Sequence, residues 1–291
     1  MRYGMPWQGS KSRIAEWVVD ILPPSHTLVD LFAGGGAVTH CALLSGKWER
    51  IIANDMTDSM MVFCAAINGE FDGYAACPAR EEWFAYRDMD TAMALLHSFG
   101  NDRTTYMWSP ELEAVKRPAS LMVSSPSLWE RYQWYHRFCD ALTEYLAANN
   151  ELPNRLTELN DRERVGRLVQ LERVTRLQGL QGLQGDYRLV DIPEGATVYA
   201  DPPYRGTANS SRYGAFDFDA FDQWLNGVDF PVFVSEFDAP TGCVEIASTE
   251  RTTSMAANST DKRTERIFVQ ERFYDQCRPL TLFDMVEGED S

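Results

Sequence analysis

Lysine is scarce in this sequence, and positive charge as a whole is outnumbered. Among 291 residues, lysine occurs only at positions 11, 47, 116 and 262, and 43 acidic residues against 27 basic ones give a formal net charge of −16. This balance argues against a general affinity for polyanions, but it does not exclude a local basic surface. Most of the positive charge is arginine, which suits bidentate contacts with phosphate groups and guanine.

Long apolar runs and paired cysteines are also missing. No stretch approaches the ~20 apolar residues that span a bilayer, and the first residues do not resemble a signal peptide. The six cysteines are scattered with no CxxC pair, so we expect reduced thiols and a cytoplasmic protein. His136 and Cys139 share a spacing that fits one helix face, but the sequence offers them no partner cluster. We therefore expect neither a membrane segment nor a metal site.

Apolar residues, by contrast, are plentiful. Hydrophobic residues make up 44% of the chain and aromatic residues 12%. This composition supports a sizeable core and argues against global disorder. The length fits one large domain or one domain with an insertion.

The segment TVYADPPY, residues 197–204, carries the clearest chemical signal. Its first residues predict the end of a buried strand, and the prolines after Asp201 break that strand because they donate no backbone hydrogen bond. A stiff loop at the carboxyl end of a strand is where open α/β sheets bind their ligands. Its carboxylate, its proline-flanked carbonyl and its aromatic ring suit a flat heterocycle with an exocyclic amine. The alternative is a proline turn with a solvated aspartate and a core tyrosine.

A glycine-rich turn follows an earlier strand. Residues 27–32 (TLVDLF) predict a short buried strand, residues 33–37 (AGGGA) a turn, and residues 38–45 a helix. In this context the backbone approaches a nucleotide closely, and the N–H groups of the helix N-terminus face it. The spacing is not GxGxxG, and no GK[ST] follows, so a nucleoside-type ligand is favoured over a pyrophosphate.

Two further segments belong with that turn. A second strand, residues 50–53, ends at Asn54 and Asp55, about 20 residues past the glycines, where such folds hold ribose hydroxyls. The alternative for Asp55 is the N-cap of a helix over residues 59–67. Nearer the N-terminus, MPWQGSK places Trp7 and Lys11 on the approach to an amphipathic helix predicted over residues 12–22. A packed indole and an exposed charge are the alternatives for these two residues.

The middle of the chain has a different pattern. Helices are predicted over residues 81–99 and 129–149, with an irregular stretch at 101–127 between them. A leucine–glutamine–glycine repeat within residues 168–187 has a three-residue period that fits neither a helix nor a strand. The arginine-rich stretch that includes this repeat is either a DNA contact surface or a solvated face in which arginines pair with glutamates.

The C-terminal part returns to α/β elements. We predict a mobile polar loop at residues 207–213, a helix at 216–226 and a buried strand at 230–237. Two more strands, residues 244–248 and 266–272, are predicted to be antiparallel and to flank a polar loop at 252–262.

Taken in order, these motifs resemble the DNA N6-adenine methyltransferases of the D12 class, and their phage-type members in particular. The likeness covers PWQGSK, DLFAGGGA, DPPY, FDFDAFDQW, FVSEF and TERIFV, with the glycine motif first, an insert next and DPPY after it. The N-terminal motif departs from that of many members. They have a lysine before the tryptophan and two glycines after it, where this chain has Pro6 and the run Gln8, Gly9, Ser10.

The resemblance implies an α/β fold. We expect the Rossmann-like sheet of S-adenosylmethionine-dependent methyltransferases, mostly parallel with an antiparallel last strand, and an inserted, mainly helical target-recognition domain. The catalytic domain would comprise residues 1–70 and 178–285, and the insert residues 71–177. Residues 286–291 would form an acidic tail.

The resemblance also implies a function. The chain would transfer a methyl group from S-adenosylmethionine, leaving S-adenosylhomocysteine, to N6 of an adenine flipped out of double-stranded DNA, without a metal ion. The catalytic residues would be Asp201, Pro202, Pro203 and Tyr204. The cofactor would be bound by Trp7, Lys11, Asp30, Phe32, Gly34, Gly36, Asp55 and Asp186, and DNA by Arg164, Arg167, Arg173 and Arg212. A monomer is the default expectation, and the phage-type likeness suggests phage protection or restriction–modification.

Other functions stay open at the level of sequence. An N4-cytosine methyltransferase shares the fold but usually carries serine in place of Asp201. RNA or a protein amide is another methyl acceptor that such a fold serves. A different class is a catalytically inactive regulator that binds DNA or cofactor, although such a protein need not keep the Asp-Pro-Pro-Tyr loop.

Overall fold

The structure of the chain, a computed structural model, describes residues 3–5, 7, 9–67, 77–99, 103–153, 179–205, 216–256 and 259–277. Its strands are β1 (Thr27–Asp30), β2 (Arg50–Asp55), β3 (Leu180–Gln184), β4 (Thr197–Ala200), β5 (Val232–Glu236), β6 (Cys243–Ala256) and β7 (Ser259–Gln270). Its helices are α1 (Ala15–Ile21), α2 (Ala37–Ser45), α3 (Ser59–Ile67), α4 (Arg80–Tyr86), α5 (Thr91–Leu96), α6 (Pro110–Ser124), α7 (Leu128–Asn149), α8 (Phe218–Gly227) and α9 (Tyr274–Cys277).

One sheet joins these strands in the order β3-β2-β1-β4-β5-β7-β6. The strands from β3 to β5 are parallel to their neighbours, and β7 is antiparallel to both β5 and β6. The parallel part has the order of a Rossmann fold, with the direction of winding reversing between β1 and β4. The predicted Rossmann-like sheet with an antiparallel end is therefore confirmed.

Apolar side chains cover both faces of this sheet. All residues of β1, β4 and β5 are buried, which explains their near-continuous apolar sequences. One face packs against α1, α2 and α3, through residues such as Val18, Val38 and Phe63. The other face packs against Phe221 and Leu225 of α8.

The last hairpin is longer than the sequence indicates. The predicted loop at residues 252–262 is wrong, because β6 and β7 continue through most of it as paired antiparallel strands. The paired strands are held by cross-strand backbone hydrogen bonds. An antiparallel hairpin that extends past the core needs no apolar face, so its polar sequence gave no strand signal. The leucine repeat also gains a structure: its end, Leu180–Gln184, is the parallel edge strand β3.

The helical middle differs from its prediction in two places. The stretch expected to be irregular contains α6, which Ser109 caps by accepting a hydrogen bond from the Leu112 amide and which includes Pro118. The expected single helix at 81–99 is two helices, α4 and α5. The boundaries of the inserted domain, 71–177, stay a prediction. Within the described ranges, no helix combines the length and apolar character needed to cross a membrane.

Candidate active site

Four strands end at the same edge of the sheet, and each delivers a polar group there. The glycine turn follows β1, Asp55 ends β2, Asp201 follows β4 and Glu236 ends β5. Parallel strands bring their carboxyl ends together, and β1 and β4 are the pair at which the strand order reverses. The candidate site lies at this switch point.

The glycine turn is shaped by close contact with an indole. Gly34 has φ +51° and Gly36 has φ +72°, conformations that disfavour other residues. A Cβ atom on Gly34 would lie 2.8 Å from Nε1 of Trp7, and one on Gly35 would lie 2.6 Å from Cβ of Trp7. The turn therefore accepts only glycine where Trp7 covers it. Gly36 is the N-cap of α2, so the first amides of that helix follow the turn directly.

Asp55 holds this turn in place. Its Oδ2 accepts a hydrogen bond from the Gly34 amide at 2.9 Å, and its Oδ1 accepts from the amide of Thr57 at 2.8 Å and from the Thr57 hydroxyl at 2.6 Å. Burial raises the pKa of this carboxyl, and these hydrogen bonds oppose the shift. Asp55 thus combines a position beside the glycine turn with a local turn contact just before α3.

Asp30, the last residue of β1, is a buried carboxyl with one unused oxygen. Its Oδ2 accepts a hydrogen bond from the Thr39 hydroxyl at 2.8 Å. Considering only the described residues, its Oδ1 is buried and has no hydrogen-bond partner. Burial, with smaller contributions from the charges of Asp201 and Asp55, raises the pKa of Asp30 to about 7.

The N-terminal segment crosses from the glycine turn to the proline loop. The Met5 amide donates to the Gly35 carbonyl at 2.7 Å, and the Gly4 amide donates to Nδ1 of His40 at 3.0 Å. Burial lowers the pKa of His40 to about 4, which keeps that nitrogen available as an acceptor near neutral pH. Trp7 then lies on the glycines, and Lys11 reaches Asp201 four residues later.

The Lys11 amine lies inside the proline loop. Its Nζ is 2.8 Å from Oδ1 of Asp201, and the two side chains are 5% and 18% exposed. The same nitrogen is 4.4 Å from the ring centroid of Tyr204 and 3.8 Å from Oε2 of Glu265. The alternative of an exposed charge at Lys11 is therefore wrong, and the amine faces the carboxylate that the sequence singled out.

Tyr204 is fixed at both ends of its side chain. Its hydroxyl donates to Oε2 of Glu265 at 2.8 Å, and its ring meets the Phe237 ring edge-to-face at 4.5 Å. Burial raises the pKa of Tyr204 well above its usual value, so the phenol stays protonated. Burial also raises the pKa of Asp201, while the charge and hydrogen bond of Lys11 oppose that shift.

A second carboxylate fixes the chain after the proline loop. Oε2 of Glu236 accepts from the Arg205 amide at 3.0 Å, and its Oε1 accepts from the Phe237 amide at 2.8 Å. The Arg205 guanidinium pairs with Asp222 at 2.5 Å, and Asp222 also accepts from the Thr241 hydroxyl at 2.6 Å. Glu236 therefore holds the amide that follows Tyr204 and the amide of Phe237, and Asp222 holds the Arg205 side chain.

The remaining predicted residues have other surroundings. The Phe32 ring packs against Tyr187, with centroids 5.0 Å apart, in the aromatic cluster on the α8 face. Asp186 follows β3 beside Asp55, but its carboxylate pairs with Arg188, which lowers the pKa of Asp186. The predicted DNA contacts, Arg164, Arg167, Arg173 and Arg212, lie outside the described residues.

Glu265 and Glu236 are site residues that the sequence analysis did not single out. Both are buried, at 2% exposure. A glutamate is almost never fully buried without partners, so the place of Glu236 at the end of an apolar strand, in FVSEF, is an available signal. Glu265 lies between Thr264 and Arg266 and has no such signal. Nothing in the spacing tells which loop such a carboxylate faces.

Comparison with protein families gives one match. The model described as D12 class N6 adenine-specific DNA methyltransferase matches residues 7–89. The match includes Trp7, Lys11, the glycine turn and Asp55, and it ends before the proline loop. It supports an adenine-specific DNA methyltransferase with an S-adenosylmethionine-type cofactor. In the part of the chain that the structure describes, no group of three or more His, Cys, Asp or Glu is arranged to hold a metal ion.

The chain is similar to two solved structures of one enzyme, the rRNA methyltransferase aviRa from Streptomyces viridochromogenes. The sequence identity is 13% in both cases. One similarity covers 94% of this chain and 90% of that chain with a TM-score of 0.38. The other covers 87% and 81% with a TM-score of 0.35. At such TM-scores the likeness carries no weight, and the fold assignment rests on the strand order. Comparison with curated proteins found no match.

Proposed function

We propose that this chain, which carries a D12 class N6 adenine-specific DNA methyltransferase domain at residues 7–89, methylates N6 of an adenine flipped out of duplex DNA, with S-adenosylmethionine as donor. The observation that carries the proposal is the short segment from Trp7 to Lys11. Its indole touches the glycine turn, and its amine touches Asp201. A donor at the turn and an amine at Asp201 would share one cleft.

The residues at the glycine turn fit a nucleoside with an amino-acid tail. Oδ1 of Asp30 is a buried acceptor with no partner among the described residues, and a methionine ammonium would supply one. Gly34 and Gly36 have no side chains, so their backbone would lie close to the cofactor. Asp55 has a lone pair left to accept a hydrogen bond from a ribose hydroxyl. Trp7, Lys11 and Phe32 would border this ligand. The Asp186 carboxylate already pairs with Arg188, so it would contact the adenine of the cofactor while it keeps that pair.

The acceptor amine needs help because the N6 lone pair of adenine is delocalised into the ring. Hydrogen bonds from N6–H to Asp201 and to the Pro202 carbonyl would favour a tetrahedral nitrogen and stabilise the positive charge that develops on it. Pro203 locks the backbone that presents this carbonyl. S-adenosylmethionine bound at the glycine turn would supply an electrophilic methyl group, and its sulfur would keep the electron pair of the broken C–S bond. Asp201, which accepts an N6–H hydrogen bond, would receive the proton that N6 releases.

Tyr204 would stack on the flipped base. Its hydroxyl bond to Glu265 and its contact with Phe237 fix the plane of the ring before any base arrives. A ring held in advance loses little conformational entropy when the base binds. Duplex DNA would contact Arg164, Arg167, Arg173 and Arg212, which supply local positive charge on an otherwise acidic chain.

A labelled-methyl transfer assay tests this function. Purified protein is incubated with labelled S-adenosylmethionine and unmethylated duplex DNA, and the nucleosides are then separated. We expect the label in N6-methyladenine. Label in N4-methylcytosine would replace the proposal with the cytosine enzyme, label in RNA or protein with another methyltransferase, and cofactor binding without transfer with an inactive regulator.

A further inference from the structure

The Lys11 amine makes both contacts that the flipped adenine is proposed to make. It is 2.8 Å from Oδ1 of Asp201, where N6–H would donate, and 4.4 Å from the centroid of the Tyr204 ring, where the base would stack. The Asp201 carboxylate has lone pairs for more than one donor, but a base cannot stack on the face of the Tyr204 ring that the ammonium covers. A base that stacks on this face therefore displaces the lysine.

A second carboxylate already lies beside the amine. Oε2 of Glu265 is 3.8 Å from Nζ of Lys11, so a shift of about 1 Å would form a hydrogen-bonded ion pair. Lys11 and Glu265 are both almost completely buried, at 5% and 3% side-chain exposure. A buried ammonium that left Asp201 without a new carboxylate would be strongly destabilised. Glu265 offers that carboxylate without moving Lys11 into solvent.

Building on the proposed function, we propose that Glu265 is a positioning residue that receives the Lys11 ammonium when an adenine amine takes its place at Asp201. The same carboxylate holds the Tyr204 hydroxyl at 2.8 Å, so it fixes the stacking ring while it accepts the lysine. Lys11 then has two positions, one for each state of the pocket. In the first position its charge opposes the rise in the pKa of Asp201, and in the second position the carboxylate is left to the base.

Charges around Asp201 determine the pH at which this exchange operates. The groups that affect Asp201 or are affected by it are Lys11, Glu265, Tyr204, Tyr199, Asp30 and Glu236. Burial raises the pKa of Asp201, Lys11 lowers it, and Glu265 raises it. Removing the charge of Glu265 therefore lowers the pKa of Asp201 and moves the acid limb of the pH profile to lower pH. Any loss of rate on the alkaline plateau then reports the position of Lys11 and not the ionisation of Asp201.

A double-mutant cycle tests the proposal. Single-turnover methylation rates are measured for wild type, Glu265→Gln, Lys11→Met and the double variant, with saturating S-adenosylmethionine and each protein on its own alkaline plateau. Glutamine still accepts the Tyr204 hydroxyl but cannot neutralise an ammonium. We expect Glu265→Gln to slow the wild type about tenfold and the Lys11→Met protein less than about twofold. Equal slowing in both backgrounds, or none in the wild type, would overturn the proposal.

Two further measurements separate positioning from folding. Glu265→Asp keeps the charge and should recover part of the rate. The matched control is Glu245→Gln, at an exposed glutamate paired with Arg266 at 3.1 Å in the same hairpin, which should leave the rate unchanged. Duplexes with 2-aminopurine at the target adenine report flipping without methyl transfer. Their fluorescence rise should be smaller with Glu265→Gln than with wild type, and an unchanged rise would count against the exchange. A wild type that never methylates adenine would instead refute the function itself.

Discussion

The glycine turn after β1 and the proline loop after β4 end neighbouring strands but are built in opposite ways. The conformation of the turn depends on its backbone: glycines with positive φ angles pack against the Trp7 indole, and the Asp55 carboxylate accepts a hydrogen bond from the Gly34 amide. The loop is held by charged and polar side chains: Lys11 pairs with Asp201, and the buried Tyr204 hydroxyl donates to the Glu265 carboxylate. Close packing determines the conformation of the glycine turn, so substitutions that add side-chain volume should disturb it. Electrostatic interactions determine the properties of the proline loop, so substitutions that remove a charge and changes of pH should alter its activity.

The largest effect should come from the charge of the loop itself. Asp201→Ala removes the acceptor for N6–H and should reduce methyl transfer by about a thousandfold or more. Cofactor binding, measured by titration calorimetry, should stay near the wild-type value because the turn is unchanged. A variant with the wild-type rate on duplex DNA would remove Asp201 from the mechanism.

The next effect separates the ring of Tyr204 from its hydroxyl. Tyr204→Ala loses stacking with the base and should cost about 10- to 100-fold in single-turnover rate. Tyr204→Phe keeps the ring and loses the hydroxyl that donates to Glu265, so we expect a loss of a few-fold, about the strength of a hydrogen bond. Equal losses in the two variants would argue against stacking.

A change of volume should act on the turn and not on the loop. Gly34→Ala places a Cβ 2.8 Å from the Trp7 indole at a positive φ, so we expect about tenfold weaker cofactor binding with no shift in the pH profile. Gly46→Ala is the matched control, because Gly46 has φ +65° but no atom within 4 Å of its added Cβ. If both variants bind cofactor equally, Trp7 does not shape the site.

The smallest effect concerns stability. The pKa of Asp30 is raised in the folded protein to about 7, so the native state keeps a proton that the unfolded chain releases, and stability falls as pH rises from about 4 to 7. Asp30→Asn keeps the Thr39 contact without the charge and should stabilise the protein at pH 8 by about 1–3 kcal/mol while weakening cofactor binding. Urea unfolding at pH 5 and pH 8 checks this. An identical pH dependence in both proteins would contradict it.

Sequence reasoning predicted the residues whose signal is local. Prolines after a strand and glycines before a helix determine the backbone around them, so Asp201 and Gly34 could be predicted at the carboxyl ends of two strands. The full strand order could not be predicted, because β3 lies in the leucine repeat, whose period indicated no strand. Glu265 and Glu236 could not be predicted as site residues, because their partners are 61 and 31 residues away in sequence and depend on how β5 and β7 pair. The long hairpin was missed for a related reason: cross-strand pairing, and not apolar alternation, defines it.

The central claim is that Asp201, whose ionised form the charge of Lys11 favours, accepts a hydrogen bond from the amine of the flipped adenine. The most direct test is the pH dependence of the single-turnover rate for wild type and Lys11→Met, at saturating S-adenosylmethionine. Without the lysine charge the pKa of Asp201 rises further, so the acid limb should move to higher pH, while Lys47→Met, at a site where the amine binds the Val19 carbonyl, should leave it unchanged. An acid limb at the same pH in wild type and Lys11→Met would contradict the claim.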